Sequence, residues 1–271
     1  MFITENNGSI TVSDFGKINL SSTLNCGQCF RWNENNGVWS GVAFGRFTRV
    51  RQNGDKLVFV NTPKSDVENI WIHYFDLDRN YNKIISEISK DAIVRNAVEK
   101  YGVIRILNQD PSEALVSFII SACNNIPRIK KIVNTMCESF GEKIDGGFSF
   151  PSPEKLAFLS ADDLAVLHAG YRVPYIMDCA KTFAENNGYF ERLSIMSTDD
   201  ARRELMKIKG VGRKVADCTL LFSMGRHDVF PVDRHIKEAV KKHYPNGLPE
   251  CFRIDMGLSQ QYVFINDLPN V

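Results

Sequence analysis

A chain of 271 residues that is 44% hydrophobic and 11% aromatic can bury one large core or two ordinary ones, which excludes a disordered or low-complexity protein. Its 33 Lys+Arg against 32 Asp+Glu leave a net charge of +1, so indiscriminate coating of polyanions is excluded and any nucleic-acid site must be local. The start, Met1-Phe2-Ile3-Thr4-Glu5, has no basic segment leading into an apolar core. The strongly apolar run Ala114–Ile120 is far short of the ~18–20 residues that span a bilayer. Seven scattered cysteines, an odd number, do not suggest a secreted disulfide framework. These features predict a soluble protein of a reducing interior: cytoplasm or nucleoid in a bacterium or archaeon, nucleus in a eukaryote.

From Ser9 to about Asn61 the β-rich runs Gln28–Trp32, Val38–Phe44, Arg46–Arg51 and Lys56–Val60 alternate with the turn signals Asn35-Asn36-Gly37 and Asn53-Gly54. This spacing predicts an antiparallel meander. Within it, Cys26-x-x-Cys29 is open to a reading as half of a zinc or redox site, but a lone pair inside a predicted strand is weak support. From about Asp66 the apolar spacing changes to three and four, as in Ile84, Ile85, Ile88 and then Ala114, Leu115, Phe118, Ile119, which predicts helices. Pro111-Ser112-Glu113 and Ser152-Pro153-Glu154 read as helix starts; Gly141, Gly146-Gly147 and Asn186-Asn187-Gly188 read as stops and connectors. The fold class is α+β: an N-terminal antiparallel β domain with flanking helices over 1–108, then a mostly helical domain over 109–271.

Residues 201–242 hold eleven basic residues against five acidic ones, the electropositive part of a neutral chain. There an amphipathic stretch runs into Ile208-Lys209-Gly210-Val211-Gly212, and a second helix is expected from about Arg213. Such a turn can hold positive φ at both glycines and leave backbone N–H groups unpaired at a helix N-terminus, which suits a DNA phosphate. Alone, it reads equally as an ordinary turn between two helices. Lys214 falls in the first turn of that helix, where the macrodipole disfavours a cation and favours the neutral amine a nucleophile needs. Cys218 lies four residues on, on the same face. Pro231-Val232-Asp233-Arg234-His235 follows, with Asp233 placed to cap a helix Arg234–His243; capping alone would explain that aspartate.

The hairpin, the lysine and Pro-Val-Asp-x-His together resemble the helix-hairpin-helix, Gly/Pro-Asp superfamily of DNA base-excision glycosylases. The resemblance implies that Lys214 attacks the deoxyribose C1′ and that Asp233 stabilises the developing oxocarbenium charge. Gly210, Val211 and Gly212, with His235, are implied as DNA contacts. Lys209 stands where a proline commonly precedes the first hairpin glycine. Four further matches resemble 8-oxoguanine DNA glycosylase/AP lyase. Gly27-Gln28-Cys29-Phe30-Arg31-Trp32 implies a Gly27 carbonyl that accepts the N7–H found only on the oxidised base. Asn124-Asn125-Ile126-Pro127-Arg128 implies DNA contacts, with Arg128 reading the cytosine opposite the lesion; Cys123 stands where the family usually shows a third asparagine. Gly170-Tyr171-Arg172 implies a wedge tyrosine and a second cytosine-reading arginine. In Gly257–Phe264, Gln260 is implied to bond the Watson–Crick edge of the flipped base while Phe264 and Cys218 sandwich its ring. A Lys214-ammonium/Cys218-thiolate dipole facing the base is a further expectation.

The implied activity is excision of 8-oxoguanine paired with cytosine, with Schiff-base strand cleavage. The implied partner is duplex DNA, bound by a monomer without membrane involvement. No cofactor is required on this reading, although a structural cation can sit at the hairpin–phosphate contact. An endonuclease III or adenine glycosylase relative would carry a four-cysteine iron–sulfur cluster after the aspartate, and only Cys251 follows Asp233. An alkyladenine-type glycosylase generally lacks the lysine. A non-catalytic lesion-binding module would have no use for Lys214 and Asp233 together.

Overall fold

The computed structural model describes residues 1–267. Six strands, β1 Phe2–Asn6, β2 Ser9–Ser13, β3 Trp32–Asn35, β4 Val38–Ala43, β5 Arg46–Asn53 and β6 Lys56–Val60, form one antiparallel sheet in the order β1-β2-β6-β5-β4-β3. Two expectations change. The sheet begins earlier than Ser9, because Phe2–Asn6 pairs with Ser9–Ser13 across a tight Asn7-Gly8 turn. The run Gln28–Trp32 is not a strand: residues 28–31 form a loop, and pairing starts only at Trp32. Gln28 explains why. Its fully buried side chain donates to Thr23 O at 2.9 Å and Arg105 O at 2.8 Å and accepts from Leu107 N at 2.9 Å, so this segment is tied down by a plug and not by a ladder.

One core lies under the sheet. Trp32, Trp71, Tyr74 and Phe75 pack ring against ring with centroids 5.2–6.5 Å apart, and Trp32 Nε1 donates to Tyr74 Oη at 2.7 Å. Trp32 lies opposite Gly41 in the β3–β4 register, where a Cβ would come within 2.5 Å of the indole. Only glycine leaves room for that ring.

The second core is helical and draws on both halves of the chain. Helices Tyr81–Ile88 and Ala92–Tyr101 pack into it together with Pro111–Ser121, Ile126–Phe140, Val173–Glu185, Arg213–Met224 and Met256–Asp267. Between the cores runs the buried segment 102–110, whose amides are satisfied partly by side chains, Ile104 N by Tyr262 Oη at 2.9 Å and Ile106 N by Tyr81 Oη at 2.8 Å, and partly by distant carbonyls, Asn108 N by Tyr74 O at 2.9 Å and Gln109 N by Phe222 O at 2.8 Å. Arg105, fully buried, donates to Lys17 O, Asp76 O and Phe15 O and lies over the Tyr81 ring. Its donors close the loops below the sheet onto the helices. Asp110 then caps Pro111–Ser121 by accepting from Ser112 N and Glu113 N, each at 2.9 Å. No helix among the described residues is long and apolar enough to cross a membrane.

Candidate active site

The hairpin forms as two helices, Thr198–Leu205 and Arg213–Met224, joined through Gly210-Val211-Gly212. Only Gly210 has positive φ, +85°; Gly212 is extended at −89° and 176°, which corrects the expectation of two left-handed glycines. Gly210 lies so close to Tyr175 that a Cβ would fall 2.3 Å from its ring, while Gly212 has open space around it. The turn is held from below by Asp178, which accepts Lys209 N at 2.8 Å, and by the buried Asp217, paired with Arg202 and, at 3.6 Å, with Arg213. No side chain caps Arg213–Met224, and Gly212 and Arg213 are exposed at its N-terminus.

Lys214 and Asp233 meet at a waist between two cavities. The outer cavity, about 300 Å³, is lined by residues that include Ser121, Asn124, Asn125 and His235. The inner one, about 40 Å³, is lined by residues that include Cys26, Cys218, Gln260 and Gln261. Gly27, Phe118, Lys214, Asp233 and Phe264 line both. Lys214 Nζ lies 3.2 Å from Ser121 Oγ and 5.0 Å from the Phe118 ring centroid; Phe118 in turn stacks on Phe222 at 5.5 Å. Asp233 caps Arg234–His243 through Ile236 N at 2.8 Å with one oxygen, Oδ1. Gly27 holds φ +80° in the bend after the short helix Leu20–Asn25, and its α-carbon faces the Phe264 ring. The inner cavity has room for only a few waters and is too small for a purine as it stands.

Burial pushes the Cys218 thiol up to about 11, against the opposing pull of Lys214 beside it. That direction favours the neutral thiol and runs against the expected thiolate dipole. Cys26 is likewise pushed up to about 12 and Cys29 higher still, as buried core thiols are. Among the described residues no group of three or more His, Cys, Asp or Glu side chains is gathered that would hold a metal ion.

At the rim, Asn125 caps Ile126–Phe140 through Arg128 N at 3.0 Å, and Asn124 donates to Ile120 O at 3.1 Å. Arg128 is exposed, with one contact to His168 O at 3.2 Å. Tyr171 is 56% exposed and bonds Ala122 O at 3.2 Å. Arg172 differs from its neighbour Tyr171: it is 3% exposed, and its guanidinium donates to the carbonyls of Ala122, Cys123 and Ala169. It holds the 122–123 bend, in which exposed Cys123 has φ +50°, and does not present a free fork. Ser121, Phe118 and Gln261 were not legible in the sequence as site residues, because each is placed by a partner far along the chain or carries no motif.

A helix-hairpin-helix whose second helix presents a lysine to a groove also lined by a capping aspartate is the arrangement of the lysine-bearing base-excision glycosylases that act on DNA. Residues 116–248 match the model of HhH-GPD superfamily base excision DNA repair proteins, and residues 10–115 match the N-terminal domain of 8-oxoguanine DNA glycosylase. The N-glycosylase/DNA lyase of Saccharomyces cerevisiae is 31% identical over 83% of this chain and 68% of its own length; that of Arabidopsis thaliana is 30% identical over 81% and 64%. The chain thus spans about two thirds of these curated relatives. The 8-oxoguanine glycosylase/lyase of Clostridium acetobutylicum, solved with double-stranded DNA containing cytosine opposite 8-oxoguanine, superposes with a TM-score of 0.88 and is 36% identical over 97% of this chain and 96% of that one. The chain belongs to the 8-oxoguanine DNA glycosylase/lyase family.

Proposed function

We infer that this protein excises 8-oxoguanine from duplex DNA opposite cytosine and then cleaves the strand by lyase chemistry. The observation that carries the reading is that Lys214 borders both a small pocket and a larger groove, where a flipped nucleotide would place base and sugar. In this reading the Lys214 amine attacks C1′ as the base leaves, forming the N–C bond while the glycosidic bond breaks. Loss of the sugar oxygen from C1′ then gives the Schiff base from which the 3′-phosphate is eliminated. Asp233, with one oxygen on its helix cap, has the other free for the developing positive charge.

The Gly27 carbonyl would take the N7–H, Cys218 and Phe264 the two ring faces, and Gln260 the Watson–Crick edge. Arg128 would read the orphan cytosine and Tyr171 wedge the stack, while Arg172 supports the bend beneath them. Phosphates would meet the N–H groups of Gly210 and Gly212, that of Val211 being engaged on Ile208 O at 3.0 Å, and the exposed His235, with Asn124 and Asn125 on the groove wall; a structural cation at the hairpin–phosphate contact belongs to the same proposal. The chemistry calls for no cofactor, and a monomer belongs to the same proposal. An intracellular setting follows from DNA as substrate. The division at 108/109 remains a proposal about chain order, since helices before it pack with those after it.

Borohydride trapping on an 8-oxoguanine:cytosine duplex tests the reading. A covalent protein–DNA adduct is expected with wild type, and an abundant product with no trapped adduct would exclude the amine mechanism.

A further inference from the structure

Gln261 stands beside Gln260 in the wall of the inner cavity, 4% exposed, and its Oε1 has no hydrogen-bond partner among the described residues. A buried, unpaired amide oxygen costs on the order of 1–3 kcal/mol unless something else takes it up. Its Nε2 is engaged: it donates to Gln260 Oε1 at 2.8 Å. That bond decides how Gln260 presents itself. With Gln261 as placed, turning the Gln260 amide over would set two NH2 groups face to face, so Gln260 keeps Oε1 toward Gln261 and Nε2 away from it.

Besides the Gln261 NH2 already bonded to Gln260, the pair carries a donor (Gln260 Nε2), an acceptor with one lone pair still free (Gln260 Oε1) and a second acceptor (Gln261 Oε1). A guanine-type edge offers the reverse series: the O6 acceptor, then the N1–H and N2–H donors. An adenine-type edge sets its N1 acceptor against the Gln260 oxygen. We propose that Gln261 is a specificity-determining residue, which accepts from the 2-amino group of the flipped purine and, with Gln260, reproduces the donor–acceptor–acceptor edge of cytosine inside the pocket.

The proposal rests on the excision reading above and is tested with two duplexes, one carrying 8-oxoguanine and one 8-oxohypoxanthine, which lacks only the 2-amino group, each opposite cytosine. In single-turnover assays wild type should cleave the first faster by up to about tenfold, the worth of one hydrogen bond. Gln261→Met, close in volume and without polar atoms, should bring the ratio to near unity, mainly by slowing the 8-oxoguanine duplex. Equal wild-type rates on the two duplexes overturn the proposal and need no variant that folds. So does a Gln261→Met protein that slows both alike, the mark of a merely structural role. A wild type inert on both duplexes would instead remove the excision reading, and this proposal with it.

Discussion

The aromatic core beneath the sheet and the mouth around Lys214 are built on opposite principles. Under the sheet the Trp32 indole N–H has its partner in Tyr74, that of Trp71 has none among the described residues, and Trp32, Trp71 and Phe75 are each at most 1% exposed. At the mouth, Gly212, Arg213, Arg128 and Tyr171 are exposed, Cys123 and His168 hold positive φ, and the Gln261 oxygen is buried without a partner. The first region is sealed from solvent and stabilises the fold; the second exposes side chains and backbone where a substrate can meet them. Mutations should therefore separate cleanly into those that change stability and those that change activity.

Lys214→Gln is the most severe break in activity: excision and strand cleavage should fall by more than ~10⁴-fold, beyond what acid–base assistance alone supplies. Its unfolding curve and its affinity for lesion duplex should stay close to wild type, and excision at a near-wild-type rate would return Lys214 to a phosphate contact. Asp233→Asn keeps a good cap and should hold its melting temperature while single-turnover rates drop ~10²–10⁴-fold. An unchanged rate would leave the aspartate a cap alone. On the other side, Trp32→Ala should cost about 3–5 kcal/mol in denaturant unfolding, yet the folded fraction should trap on DNA as wild type does. A trapping defect at full folding would show that the two regions are coupled.

Arg128→Ala sharpens the comparison within the mouth. It should narrow the cytosine-to-adenine preference on the order of tenfold to a hundredfold, from ~1–3 kcal/mol per base contact, with little loss opposite cytosine. Arg172→Ala, by contrast, should slow excision opposite every base, since its donors hold the 122–123 carbonyls.

The smallest effect concerns pH. Burial, with Arg79 beside it, holds the His227 ring down at about 4 instead of 6.5. Between these values the unfolded imidazole binds a proton that the folded one refuses, so the stability this ring contributes is present above pH 6.5 and lost as pH falls toward 4. Urea unfolding across that window should show a shallower acid loss for His227→Asn, which keeps an acceptor for Arg79. Parallel wild-type and variant curves would assign the acid loss to other groups.

Local signals carried much of the reading because their physics is local. Asp233 capping Arg234–His243, Pro111 opening its helix and the Lys214–Cys218 face depend on neighbours within four residues. The meander was legible from turns and alternation, and the family from motifs that lie within short stretches of chain. What only the tertiary structure decided involves partners far apart in sequence. The plug of Gln28 onto Arg105 spans 77 residues and the Ile104–Tyr262 bond 158, so a segment that alternates like a strand became a loop and an extended stretch became buried. Gly210 took its left-handed turn against Tyr175, Phe264 closed the inner cavity over Gly27, and Arg172 turned inward onto Ala122. Periodicity and capping express the energy of one helix or strand; whether a polar side chain faces substrate or satisfies a distant carbonyl depends on which groups folding leaves buried beside it.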